Sequence, residues 1–272
     1  ICFSTDASQE LYVVDYDGGI YQMQKNAAAE AREIFPHQLS KTGLFTDTTA
    51  LKPNHGVLPY TIKAQGWLDN ATSTRVVAIP GHTQIDLFEK TEPYKGYLKN
   101  TFKFPEGSVI AKTVSLEMER GSPKSSRRIE TQILHRYNDE WRPYNYIWNE
   151  EQTDALLAPV EGRNRVFEIE DSSSAGGKRK QSWRHASRAE CTQCHNNRSA
   201  NLLAFNPPQL DHEGQLEKMQ SWNWFRQPLP DHPEVVDPYD SNIDLNRRAR
   251  TYLHLNCTHC HRRGGGGTAV FE

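Results

Sequence analysis

The chain has 272 residues, 36% of them hydrophobic, and a formal net charge of −2. That length allows two ordinary domains with a substantial core, and the near-balanced charge argues against nucleic acid or an anionic membrane as partner. No run approaches about 18 apolar residues, so no membrane span is expected, and 15 prolines with 17 glycines fit a loop-rich globular chain.

Residues 11–14 and 20–23 read as two strands around the tight turn at 15–19. A finished hairpin at the start of a chain predicts that residues 1–25 are the remnant of an upstream β-domain. Cys2, the odd one of five cysteines, is expected to be a buried free thiol or to have its partner in a missing region. Residues 26–35 read as a short helix or linker ended by Pro36.

Residues 26–170 read as a β-rich antiparallel domain, sandwich or barrel-like, with strands at 76–79, 109–118, 129–135, 144–148 and 166–170. In the second of these, Ile110, Val114, Leu116 and Met118 share one parity and Lys112 interrupts the stripe. Tyr144, Tyr146 and Trp148 alternate onto one face. Together with Trp141 they are either core or an exposed platform for carbohydrate or protein, and exposure decides between the two. Glu150, Glu151 and Asp154 are either a carboxylate site or a solvated loop; no Asp-x-Asp-x-Asp-Gly run supports calcium there. The Ser/Gly-rich stretch 171–181 reads as a linker.

Residues 182–272 carry the chemistry. Cys191-Thr192-Gln193-Cys194-His195 and Cys257-Thr258-His259-Cys260-His261 are two copies of Cys-x-x-Cys-His, the attachment signature of haem c. Two thiols three apart on one side of a helix can each form a thioether to one vinyl group, and the adjacent histidine becomes the proximal iron ligand. The two copies use four of the five cysteines, so two covalently bound haems c are expected. A capping box at Ser187–Glu190 starts the first motif's helix, and a weaker one, Ser241-x-x-Asp244, starts the second's. In the second helix Leu245, Ala249, Tyr252 and Leu253 should form an apolar packing stripe. Met219 and His232 are the candidate distal ligands for the first haem, favouring a higher and a lower potential respectively; His185 and His212 are further options. The basic run Lys178, Arg179, Lys180, Arg184 and Arg188 either pairs with haem propionates, steers an acidic redox partner or is a solvated linker. The alternative from another class is one zinc on Cys191, Cys194, Cys257 and Cys260, which leaves the repeated histidine unexplained.

Six segments carry a resemblance. Leu39-Ser-x-Thr-Gly-Leu-Phe45, Gly56-Val-Leu-Pro-Tyr60, Phe104-Pro-Glu-Gly-Ser-Val109, Tyr146-x-Trp-Asn-Glu-x-Gln-Thr-Asp-Ala155, Ser187-Arg-Ala-Glu-Cys-x-Gln-Cys-His195 and Ala249-Arg-x-Tyr-Leu-x-x-Asn-Cys-x-His-Cys-His261 resemble a family of exported bacterial proteins with two haem c motifs behind a β-rich region. The resemblance covers about residues 36–272. Members are sometimes fused to sorbosone-dehydrogenase-like propellers, and the hairpin at 11–23 resembles the last strands of such a quinoprotein propeller. The resemblance implies an α+β fold ending in a cytochrome-c-like dihaem region. It implies electron transfer from a periplasmic quinoprotein sugar or alcohol dehydrogenase to another cytochrome or an oxidase. A second implied reading is that the chain is the C-terminal part of a haem-containing dehydrogenase using pyrroloquinoline quinone (PQQ). PQQ and calcium would then belong to an upstream domain only. Family chains continue past the glycine-rich run at 262–267, so the distal methionine for the haem on His261 is expected beyond Glu272.

Overall fold

A computed structural model describes residues 2–15, 18–23, 35–88, 101–200, 202–262, 265 and 267–269. The chain divides into two compact units, Ile1–Phe35 and Pro36–Glu272. In the first, β1 (Cys2–Thr5) adds a strand to the expected hairpin of β2 (Leu11–Val14) and β3 (Ile20–Gln22), all antiparallel. Cys2 is exposed with a free thiol, not buried. The helix or linker expected at 26–35 falls almost wholly outside the described residues.

The second unit opens with the small pair β4 (Phe45–Asp47) and β5 (Lys52–Pro53). The strands β6 (Val57–Tyr60) and β7 (Thr72–Ala78) follow, then a second small pair, β8 (Asp86–Leu87) and β9 (Phe102–Lys103). The long strands are β10 (Val109–Glu117), β11 (Ser126–Tyr137) and β12 (Glu140–Trp148), with the short edge strand β13 (Ala155–Leu157). Among the described residues they form one antiparallel sheet in the order β13-β12-β11-β10-β7-β6, open at both edges. A hairpin of β14 (Arg163–Glu170) and β15 (Lys178–His185) lies apart from that sheet's hydrogen bonding. The short helices α1 (Arg188–Cys194), α2 (Pro207–Leu210), α3 (Gln215–Ser221) and α4 (Leu245–Asn256) complete an α+β architecture, β-rich first and helical last. None of the described helices is long and apolar enough to cross a membrane.

Residues 171–181 are the hairpin's turn and the first half of its return strand. Gly176 and Gly177, both at positive φ, make the reversal possible. The buried Asp171 carboxylate accepts bonds from the Ser173 N–H and hydroxyl and from Arg120 Nη1. The hairpin packs as sheet because Phe167, Ile169 and Trp183, from its two strands, turn inward. The basic run is largely engaged, Lys178 with Glu168 (2.7 Å) and Arg184 with Glu190 (2.9 Å).

Two apolar clusters cover one face of the large sheet. The first joins Tyr60, Val77 and Ile110 to Phe102, Phe104, Phe205, Leu210, Met219 and Phe225. The second joins Val114, Leu116 and Ile129 to Phe167, Ile169 and Trp183 of the hairpin. Ile129 reaches that cluster through a bulge: Val114 pairs with Glu130 and Ser115 with Arg128, leaving Ile129 as the extra residue. Between the clusters the register sets Tyr60, Arg75, Lys112, Gln132 and Asn145 in one row across five strands. Lys112 thus interrupts the stripe because it stands in a polar row of the sheet.

The opposite face holds the aromatic residues. Tyr144, Tyr146 and Trp148 are buried. The Tyr146 hydroxyl donates to the Pro36 carbonyl (2.7 Å), and Trp148 Nε1 donates to Thr131 Oγ1 (3.0 Å). Trp141 packs edge-on to Phe104 on the other side of the sheet. These residues form core, and the expected alternative of an exposed platform is not present. Glu150, Glu151 and Asp154 do not converge on a site. Glu150 pairs with Arg127 and Arg165, Asp154 accepts from the Ser40 N–H and hydroxyl, and Glu151 is exposed.

Candidate functional site

Strand β15 ends at His185, and two residues later Ser187 caps α1. Ser187 Oγ accepts from the Glu190 N–H (3.2 Å), and the Glu190 carboxylate accepts from the Ser187 N–H (2.7 Å), the capping box expected from sequence. Arg184, together with these Ser187 bonds, holds the Glu190 carboxyl down at about 2. The helix is seven residues long and ends at Cys194, so both thiols of the first motif lie within it. Its last bond runs from the His195 N–H to the Cys191 carbonyl (2.9 Å).

The second motif is built differently. Asp244, not Ser241, caps α4, accepting from the Arg247 N–H (3.1 Å). The helix ends at Asn256, so Cys257 lies just past its C-terminus and not on a first turn. The Cys257 carbonyl then accepts from the N–H groups of Cys260 (3.1 Å) and His261 (2.9 Å). Both copies therefore bond the histidine N–H to the first cysteine's carbonyl. Each motif is a single helical turn that keeps its two thiols on one side.

The glycine run closes over His261. The Gly267 N–H donates to the Cys260 carbonyl (2.8 Å), and a Cβ at Gly267 would stand 2.8 Å from His261 Nδ1. A Cβ at Gly265 would stand 2.5 Å from the Cys260 carbonyl oxygen. Only glycine permits that approach. His261 Nδ1 lies 2.9 Å from the Ala269 carbonyl. A carbonyl only accepts, so Nδ1 carries the proton and the ring's lone pair is on Nε2, the tautomer a metal-ligating histidine needs.

The two motifs lie in each other's field. Burial pushes the Cys194 thiol up, and Cys260 adds to the effect. Arg262 Nη2 donates to the Arg198 carbonyl (2.9 Å), tying the two post-motif loops together. Among the described residues no three His, Cys, Asp or Glu side chains gather as a metal-ion cluster.

The candidate distal ligands fall in varied places. Met219 is 3% exposed within the apolar cluster beneath the sheet. His232 faces Asp211, Nε2 to Oδ2 3.7 Å, with its Nδ1 buried and without a partner among the described residues. His212 meets Thr61 Oγ1 at 3.1 Å. His185 is fully buried, Nδ1 2.7 Å from Glu130 Oε2, and among the described residues its Nε2 has no partner. The expected packing stripe of α4 is on the outside: Leu245 is 72% and Leu253 46% exposed, and the buried residue is Thr251, whose Oγ1 accepts from the Val236 N–H (3.3 Å). A cleft of about 460 Å³, lined among others by Ile62, Trp67, Leu68 and Tyr239, borders the end of α4. The Trp67 N–H donates to Asn256 Oδ1 (2.7 Å), one residue before Cys257.

Sequence reasoning missed a polar cluster beside the first motif. The Glu130 carboxylate, 1% exposed, accepts from Gln132 Nε2, Asn145 Nδ2 (3.0 Å) and His185 Nδ1. Burial pushes this carboxyl up, but the bonds from His185 and Asn145 outweigh it and hold it below the usual range. Burial also pushes the Cys191 thiol up; Glu130 and Glu190 add to this and Lys112 opposes it. Lys112 in the broken stripe was the available signal. No family model, curated protein or solved structure matches the chain.

Proposed function

We propose that this chain is a dihaem c-type electron-transfer module, with haem attached at Cys191 and Cys194 under His195 and at Cys257 and Cys260 under His261. The observation that carries the reading is the repeated turn: two Cys-x-x-Cys-His segments, each bonding its histidine N–H to its first cysteine's carbonyl. The residues fit the group. Each turn offers two thiols on one side, and the Ala269 carbonyl sets His261 in the ligating tautomer. Glycine at 265 and 267 leaves room for that ring and for the Cys260 carbonyl.

Haem c, when bound, supplies reversible one-electron chemistry. The chain's own part is to hold, orient and partly bury the group and to set its potential through nearby charge. The bond from Arg262 to the Arg198 carbonyl, which ties the two post-motif loops together, supports passage of electrons between two neighbouring centres. The proposed donor is a periplasmic quinoprotein sugar or alcohol dehydrogenase, in the same polypeptide or a separate one, and the acceptor another cytochrome or an oxidase. Such attachment follows export, so the proposed place is the periplasm or its equivalent.

The test is intact mass with a pyridine haemochrome spectrum on protein made with a haem-attachment system. Two haems per chain that resist acid-acetone extraction are expected, falling to one in Cys191→Ala/Cys194→Ala. A colourless protein carrying one zinc would overturn the reading. Stopped-flow mixing with a reduced quinoprotein dehydrogenase tests the donor; haem reduction within its turnover time is expected, and none would remove that partner.

A further inference from the structure

We infer that Tyr60, Arg75 and Lys112 form a binding site for a small, free carboxylate anion on the large sheet. The site is independent of the haem reading and contains no residue of either motif. The three are consecutive cross-strand partners on β6, β7 and β10, so their side chains leave the same face of the sheet, strand by strand about 5 Å apart. Arg75 and Lys112 stand in the gap between the two apolar clusters. All three side chains carry donors, and among the described residues none donates to an acceptor or joins an ion pair.

Like charges placed directly opposite each other repel, and a buried arginine is costly unless it is paired. Tyr60 is 5% and Arg75 9% exposed, and Lys112 is half-buried. None of their polar atoms is sealed from solvent, so an ion can reach them. The carboxylate nearest in the register is Glu130, diagonal to Lys112 across β10 and β11. It already accepts from Gln132, Asn145 and His185. The other titratable groups facing the cations are the Tyr60 hydroxyl from β6 and the Cys191 thiol from α1, both pushed up by burial and neutral at pH 7. Arg75 and Lys112 therefore outnumber Glu130 by one charge.

Donors without acceptors select a ligand that only accepts. A guanidinium fork matches the two oxygens of a carboxylate, and the ammonium and the phenol can each add a bond. The surplus of one charge fits a monoanion, whereas a dianion overshoots it. Burial and the Arg75 charge lower Lys112 to about 8, and a bound anion opposes that fall.

The experiment is titration of the full chain with carbon-13-labelled acetate, followed by nuclear magnetic resonance at constant ionic strength from pH 6 to 9. Saturable binding is expected, with Kd steady at low pH and rising up to about tenfold per pH unit above about 8 as Lys112 loses its proton. Arg75→Gln and Lys112→Gln should each weaken binding by about tenfold or more, the loss of one charge-assisted bond. Lys112→Arg should bind acetate at pH 6 and keep that affinity at pH 9, which a merely structural role for Lys112 would not produce. If Lys112→Gln does not fold, Lys112→Met, of similar length and better suited to burial, carries the same test. No saturable binding to the folded wild type overturns the inference, as does undiminished binding in both glutamine variants. Chloride or sulfate that displaces acetate at a concentration below the acetate Kd assigns the donors to a halide or a dianion and overturns the carboxylate. Failure of this site leaves the haem reading standing, and a chain without haem leaves the site standing.

Discussion

Glu130 shows how one side chain can be costly and still retained. A carboxylate at 1% exposure is tolerated only because Gln132, Asn145 and His185 all donate to it. Removing it leaves those donors unmatched, and Glu130→Ala is expected to cost about 3–5 kcal/mol in urea unfolding at pH 7. The pH dependence has a definite sign. The folded carboxyl lies below its unfolded value of about 4.3. Its stabilisation is therefore complete above that value and lost as pH falls through the folded one. Glu130→Gln should flatten this acid limb; an unchanged limb between pH 5 and 2 would assign it to other carboxylates. Gly267 is a steric case. A methyl group there meets His261 Nδ1 at 2.8 Å, so Gly267→Ala should cost about 1–3 kcal/mol. It should also displace the bond to Ala269. In haem-loaded protein that predicts an altered low-spin signal for one centre by electron paramagnetic resonance, and an unaltered signal would show that the ring is held from elsewhere.

Caps separate the two motif-bearing helices as elements. Helix α1 has only seven residues, too short to persist without its ends satisfied. Its box closes in both directions, so Ser187→Ala should cost about 1 kcal/mol. For α4 the cap is Asp244, since its carboxylate reaches the Arg247 N–H while Ser241 stands three residues before it. Asp244→Ala should cost about 1 kcal/mol and Ser241→Ala less than about 0.5 kcal/mol. Thermal melts of the two variants decide it, and the reverse ranking would move the start of α4 back by a turn. Helix α4 also exposes the apolar residues a periodicity argument would bury. Its inward side chain is Thr251, tied to the loop at Val236, and its last residue is tied to Trp67.

At the scale of the whole second unit, the sheet and the C-terminal segment share one core. Phe205 lies 5.0 Å from Tyr60, 5.8 Å from Phe102 and 5.3 Å from Phe104, ring centre to ring centre, partners drawn from two other parts of the chain. The hairpin β14–β15 likewise covers the sheet's other half before the chain enters α1. The segments that lead into the two motifs therefore share the sheet's core. Phe205→Ala is expected to cost about 3–5 kcal/mol and to lower one cooperative transition seen alike by fluorescence and far-ultraviolet circular dichroism. Separate transitions for sheet and helices would show that the shared core is not what joins them.

Local chemistry was legible in the chain itself. The strands at 109–118 and 129–135 follow from alternation and branched side chains, and the Ser187–Glu190 cap from a four-residue pattern. The two Cys-x-x-Cys-His runs needed no fold to be seen, since the pattern spans residues only a turn apart. What lay beyond the sequence depends on register and on cover. Residues 171–181 look like a linker by composition, yet they are the turn and return strand of a hairpin because Phe167, Ile169 and Trp183 have a sheet to pack on. Met219 is consumed by the core, and the stripe of α4 is left outside, because which face gets covered is decided by segments distant in sequence. Lys112 alone was a blemish in an apolar pattern. Only strand pairing sets it beside Arg75, and only the packing of α1 brings Cys191 into its field. A charge acts through space, so its neighbours cannot be read until the chain has folded.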